Sequence, residues 1–283
     1  MSNHKKVVLI TGGSRGLGKD MALQVASKGF DILLTYQTNK ESAEQVVAEL
    51  ISKGTKAVAL HLDVSQSKTF PEFVTKVKEV LNAEFNTTSI HGLVNNAGVG
   101  TYASFEDTTE EQFDNMVNIH LKAAYFLTQK LLPIINEGGS IVNISSGLAR
   151  FSFPNYSAYA IMKAGIESLS RYQALELGSR KIRVNTVAPG AIETDFGGGA
   201  VRDNKDINQM IASGTALGRV GLPDDIGGVV AFLCSDDSKW VNAQRIEVAV
   251  PRSWRVVEPR SQAGSSFESR RAFAHHAESQ RSF

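Results

Sequence analysis

The stretch KVVLITGGSRGLG, Lys6 to Gly18, passes from a block of β-branched and aliphatic residues directly into a glycine-rich turn. The apolar block has strand length, and a helical pattern opens behind it from Leu17 to Lys28. Strand, glycine turn and helix in that order let backbone N–H groups and the positive helix end approach a pyrophosphate, with Gly12, Gly16 and Gly18 keeping side chains out of the way. Ser14, Arg15 and Leu17 complete the turn as candidate cofactor contacts. A turn that only packs helix on strand would use glycine too, so the reading depends on the rest of the chain.

Beyond Lys28 the chain alternates. FDILLTY precedes a helical pattern over Lys40 to Lys53, and TKAVALHL precedes one over Phe70 to Leu81. IHGLVNN precedes a long helix near Thr109 to Ile135, and GSIVNIS one near Tyr156 to Leu177; IRVNTVAP and QRIEVAV close the series. These near-continuous Val, Ile and Leu runs predict a single-domain, Rossmann-type α/β fold over residues 1–250. Its core is a doubly wound parallel sheet of about seven strands, with helices on both faces and ligands beyond the carboxyl ends of the strands.

A net charge of +1 gives no long-range field to gather nucleic acid or an anionic membrane. No apolar run approaches membrane-spanning length, and the apolar part of MSNHKKVVLITGG is too short for a signal sequence. The single cysteine, Cys234 in VVAFLCS, excludes an intramolecular disulfide and reads as a small buried helix residue. A cytoplasmic protein without a metal site is expected.

NISSGLARFSFPNYSAYAIMK, Asn143 to Lys163, supplies two adjacent serines, two tyrosines and a lysine. A tyrosine four residues before a lysine on a helix shares its face, and the ammonium favours the phenolate. Tyr159 and Lys163 meet that spacing, whereas Tyr156 finds Ala160 at the matching position. Tyr36 and Lys40 repeat the spacing after the second strand and read as a solvated turn pair. There the chain offers Thr35, Tyr36, Gln37, Thr38 and Asn39, with no carboxylate for a ribose 2′-hydroxyl. Arg15 can pair with a 2′-phosphate, and Thr38 and Asn39 can donate to it, so NADPH is favoured over NADH.

On these residues the chain resembles the short-chain dehydrogenase/reductase family. TGGSRGLG matches its cofactor glycine motif, NNAG at Asn95 to Gly98 its strand-four signature, and YAIMK its Tyr-x-x-x-Lys. The family's catalytic serine typically lies thirteen residues before the tyrosine, which implies Ser146 over Ser145; the same count from Tyr36 reaches Leu23. The resemblance further implies Asp63 and Val64 at the adenine, Asn95, Ala97 and Gly98 along the cofactor, and Pro189, Gly190, Ile192 and Thr194 of APGAIET beside the nicotinamide. Asn118 in MVNIH stands at the catalytic asparagine, expected to hold a water behind Lys163. By the same resemblance Tyr159 is the acid in reduction, Ser146 holds the carbonyl oxygen, and Lys163 lowers the tyrosine pKa and binds the ribose.

The implied reaction is NADPH-dependent reduction of a ketone or other carbonyl compound to a secondary alcohol. Alternatives are a 3-oxoacyl-thioester reductase acting on an acyl carrier protein, and an alcohol or sugar dehydrogenase. A non-catalytic NADP-sensing protein would be expected to lack the serine, tyrosine or lysine. ALGRVGLPDDIGGVVAFLCSD points to the β-ketoacyl-acyl-carrier-protein reductase-like branch. Yet the turn NEGGS, with Glu137, lacks a basic cluster for a carrier, and Arg180 and Lys181 read as surface charges, so a free carbonyl compound is expected. Leu148, Phe151, Phe153, Pro154, Tyr156 and Phe196 form an apolar, aromatic wall for it, and Gly197 to Gly199 favour a segment that closes over it. The resemblance implies a homo-oligomer, dimer or tetramer. From Pro251 onward the chain has six arginines and no lysine, against eight and sixteen before it. That aperiodic stretch, 251–283, predicts a disordered tail from a shifted reading frame or an appended extension.

Overall fold

The structure is a computed structural model, and it describes residues 6–248. The expected tail and the last two residues of QRIEVAV lie outside the described residues. Strands and helices alternate as β1 (Val7–Ile10), α1 (Gly16–Ser27), β2 (Asp31–Tyr36), α2 (Lys40–Ser52), β3 (Ala57–His61), α3 (Phe70–Phe85) and β4 (Ile90–Asn95). The second half continues with α4 (Glu110–Met116), α5 (Ala123–Leu131), β5 (Ile135–Ile144), α6 (Ser157–Glu176) and β6 (Arg183–Pro189). It closes with α7 (Ala200–Asp203), α8 (Lys205–Gly214), α9 (Asp224–Cys234) and β7 (Arg245–Val248).

Among the described residues these strands form one seven-stranded sheet in the order β3-β2-β1-β4-β5-β6-β7, every pair parallel. The winding runs outward from β1 to β3, then restarts on the other side of β1 with β4. The crevice between the carboxyl ends of β1 and β4 is therefore the switch point where this architecture binds ligands.

The two-residue period of a strand explains the two cores. Val7 and Leu9 bury against α3 and α5, while Val8 and Ile10 bury against α1 and α9. Strands covered on both faces read as continuous apolar runs, which is why VVLI in β1 and Ile32 to Leu34 in β2 carry no alternation. Cys234 lies buried at the end of α9, as its sequence context implies.

One element departs from expectation. The helix expected from Thr109 to Ile135 is a composite: α4 passes into a π-helical segment, Val117–Lys122, then into α5 and a 3-10 turn over Leu132–Ile134. The start is sealed by a capping box, with Thr109 accepting from Gln112 N–H and Gln112 bonded back to Thr109 N–H. The end comes early because Pro133 opens the 3-10 turn, so β5 already begins at Ile135. A π-helical widening inside an α-helix is uncommon and concentrates at functional sites.

Candidate active site

The glycine turn after β1 is held open by its neighbours. Asn96 donates from Nδ2 to the carbonyls of Thr11 (2.9 Å) and Gly12 (3.1 Å), and the Thr11 hydroxyl accepts from the N–H of Asn96 and Ala97, both at 3.0 Å. Gly12 has φ +67°, and a Cβ on Gly18 would lie 2.0 Å from the Gly12 carbonyl oxygen. Neither position admits a side chain. The N-terminus of α1 has no side-chain cap and no carboxylate in its first turn. An uncapped, carboxylate-free helix end over a side-chain-free cradle fits a pyrophosphate.

The remaining candidate cofactor residues border this crevice in different ways. Arg15 is exposed and sits 3.8 Å from Asp195; Thr38 is exposed beside Asn39, which caps α2 through Ser42 N–H. Asp63 accepts from the backbone and hydroxyl of Ser65 through one oxygen, and Val64 packs on the core. Asn95 turns its Nδ2 into the sheet, to Asn143 (2.7 Å) and Thr128 (3.0 Å). Pro189 ends β6, Gly190 N–H donates to the Val248 carbonyl, and Ile192 and Thr194 are buried, with Thr194 carbons 3.6 Å from where a Gly16 Cβ would stand.

Tyr159 and Lys163 are one turn apart on α6, both buried, with Nζ 5.5 Å from the centre of the tyrosine ring. Lys163 Nζ donates to the Ile144 carbonyl at 2.8 Å, at the tip of β5. The two serines separate here. Ser145 is turned inward, donating to Glu167 (2.8 Å) and the Lys163 carbonyl (3.2 Å). Ser146 faces the Tyr159 hydroxyl and accepts from Leu148 N–H. The backbone of Ser146 is pinned from behind by Arg245 on β7, which is ion-paired with Glu167 at 2.5 Å.

Burial raises the Tyr159 pKa, and Ser146 pulls it back. Burial drives the Lys163 ammonium down to about 7. The reason is dehydration: with Nζ turned to the Ile144 carbonyl, both groups lose water and neither gains a counter-charge.

Asn118 lies in the π-helical segment with its carbonyl accepting from Ala123 N–H, and it is not among the residues lining the small cavity behind Lys163. His120 is. The imidazole is buried and meets the Tyr159 ring edge-on, centres 5.3 Å apart. Residues two apart on a helical segment lie on roughly opposite sides, so the two cannot face the same way. A histidine inside the apolar run NIHLKAAYFL was the available sequence signal.

The expected substrate wall divides in two. Phe196 folds over Tyr159 (5.6 Å), with Gly100 beneath it. Tyr156 is sandwiched by Tyr102 (5.4 Å) and Phe153 (6.1 Å). Leu148, Phe151, Phe153 and Tyr156 line an open cavity of about 370 Å³ together with Phe105. Tyr102 and Phe105 carry no sequence signal that ties them to this wall.

A family profile described as enoyl-(acyl carrier protein) reductase matches residues 12–249. The chain belongs to the short-chain dehydrogenase/reductase family. It is an oxidoreductase, and the crevice fits NADP. The hydroxynaphthalene reductase-like protein Arp2 of Metarhizium brunneum is 36% identical over 252 residues, covering 85% of this chain and 92% of the relative. Among solved structures, the promiscuous reductase LugOII, which catalyses keto-reduction at C1 during lugdunomycin biosynthesis, superposes with a TM-score of 0.82 at 33% identity, covering 87% of this chain and 97% of the other. The angucycline C-6 ketoreductase LanV with bound NADP gives a TM-score of 0.82 at 31% identity, covering 87% and 95%. Among the described residues, no helix is long and apolar enough to cross a membrane.

Proposed function

We propose that this short-chain dehydrogenase/reductase reduces the carbonyl of a flat aromatic ketone to a secondary alcohol with NADPH. The observation that carries the reading is the buried Tyr159 phenol facing Ser146, with Phe196 over its ring and the edge-on Tyr102–Tyr156 pair at the start of the same helix. The likeness to the hydroxynaphthalene reductase-like Arp2 and to the angucycline C-6 ketoreductase LanV supports the substrate class.

Bound nicotinamide supplies the hydride; the chain supplies the rest. Ser146 donates to the substrate oxygen, and Tyr159, kept protonated by burial, gives it the proton. Lys163 holds positive charge beside the phenol as the phenolate forms. Gly12, Ser14, Gly16, Leu17 and Gly18 hold the pyrophosphate. Arg15 and Thr38 take the 2′-phosphate, Asp63 and Val64 the adenine, and Asn95, Ala97 and Gly98 the ribose side. Pro189, Gly190, Ile192 and Thr194 line the nicotinamide. Gly197 to Gly199, all at positive φ, serve as the hinge of a closing segment.

The acyl-carrier reading is weaker because its basic docking groups are engaged: Arg180 donates to the Leu132 and Ile135 carbonyls, and Lys181 pairs with Glu137 at 3.0 Å. Residues 1–250 are read as the working domain, followed by a tail, in a cytoplasmic protein. Exposed Tyr125 and Phe126 on α5 and Ile161, Tyr172 and Leu175 on α6 support assembly with a second copy. The test is NADPH absorbance against tetralones, hydroxynaphthalenones, aliphatic β-ketoesters and acyl thioesters. Turnover of the fused-ring ketones is expected to lead; a preference for acyl thioesters would overturn the substrate class.

A further inference from the structure

His120 Nε2 lies 2.8 Å from the Val99 carbonyl oxygen. A carbonyl only accepts, so Nε2 carries the hydrogen and Nδ1 presents a lone pair. That Nδ1 is buried without a hydrogen-bond partner among the described residues. The ring fits only because residue 98 is glycine: a Cβ there would lie 2.8 Å from Cε1 and 3.3 Å from Nδ1.

His120 and Lys163 share a cavity of about 20 Å³ with Thr11, Asn95 and Ala97. This is room for one water, which needs polar partners to stay. The Thr11 hydroxyl is committed to Val94, Asn96 and Ala97, and Asn95 Nδ2 to Thr128 and Asn143. The Lys163 ammonium, with one bond to Ile144, has donors to spare, and the unpartnered Nδ1 is an acceptor that matches them.

We propose that His120, through Nδ1, holds one water against the Lys163 ammonium and is thereby the positioning residue that keeps this lysine protonated beside Tyr159. The inference rests on the ketone-reducing reading above. Lys163 is the charged group acting on His120, Tyr159 is the titratable group against its ring, and no carboxylate lines the cavity. Burial holds the imidazole down at about 3, so it stays neutral wherever the enzyme works.

The experiment is the pH profile of kcat/KM for ketone reduction by the full chain and two variants. His120→Leu leaves the water without its acceptor, so the alkaline limb is expected to fall by about one pH unit, with about tenfold lower rate above it. KM for NADPH should not change. His120→Asn, whose amide oxygen can accept, should return the limb to within a few tenths of a unit. A Leu variant with the wild-type limb, or an Asn variant as displaced as Leu, overturns the proposal. If the Leu variant does not fold, long-range 1H–15N NMR of the wild-type histidines decides. His120 is expected as a non-titrating Nε2–H tautomer between about pH 5 and 8, and a proton on Nδ1 in that range overturns the assignment. A wild-type chain that reduces no ketone would instead count against the proposed function, and the NMR result would still judge His120.

Discussion

Tyr36 with Lys40 and Tyr159 with Lys163 have the same four-residue spacing, in one case across the end of β2 and in the other on α6. In the first pair Tyr36 stands edge-on to His61 at 5.8 Å, and Lys40 reaches out to Glu44 at 3.7 Å, with most of both charged side chains in water. Tyr36 is the last residue of a strand, so the spacing gives it no helical face to share with Lys40. In the second pair both residues are buried and on one face, with Ser146 at the phenol and the Ile144 carbonyl at the ammonium. Spacing makes two side chains neighbours, but removal of water makes them reactive. At α6 it brings a lysine to about 7, where a proton can move near neutral pH.

The largest expected effect separates the pairs outright. Tyr159→Phe keeps the ring and deletes the proton, and should lower turnover by about 10³-fold while NADPH fluorescence still reports binding. Tyr36→Phe should stay within about twofold of wild type, since that phenol, at the end of β2 against His61, has no serine or lysine beside it among the described residues. If Tyr159→Phe retains more than about a tenth of the activity, the comparison fails.

The serines sharpen it. Ser146→Ala removes a donor from the place where oxyanion charge develops and should lower kcat by about 10²-fold. Ser145→Ala removes buried bonds to Glu167 and the Lys163 carbonyl, and should show instead as about 1–2 kcal/mol of lost stability in urea melts. Equal kinetic effects at the two positions would contradict the geometry.

The pH dependence is a consequence of burial. Lys163 is charged below its lowered pKa and loses its proton as pH rises through about 7, while Tyr159 stays protonated beyond it. Reduction should therefore decline by about tenfold per unit on the alkaline side, in kcat/KM measured across that range. A rate that rises there would show that the ammonium is not required. Arg15→Ala should have a smaller effect than the changes at Tyr159 and Ser146, weakening NADPH binding by about tenfold in a titration and leaving NADH unaffected. The Asp195 pairing at Arg15 is exposed and 3.8 Å long, so its loss should not move stability.

Most of the architecture was legible because its signals are local. KVVLITGGSRGLG could be read as strand, turn and helix from residues in contact along the chain, and seven apolar runs separated by helical patterns imply a parallel sheet by connection length alone. Ser146, Tyr159 and Lys163 were readable for a similar reason, since one short stretch carries all three and the family resemblance sets their spacing.

Tertiary structure alone decided what depends on direction and dehydration. The placement of His120 rather than Asn118 at the cavity behind Lys163 turns on a π-helical segment that no periodicity announces and that packs against α6 and the β4 loop. Tyr102 and Phe105 enter the aromatic wall from a loop distant in sequence from Phe153 and Tyr156. The lowering of the lysine pKa is likewise not a property of Tyr-x-x-x-Lys. A sequence specifies which groups are neighbours within a few turns, whereas exclusion of water from around them requires the whole sheet and both of its helical layers to close.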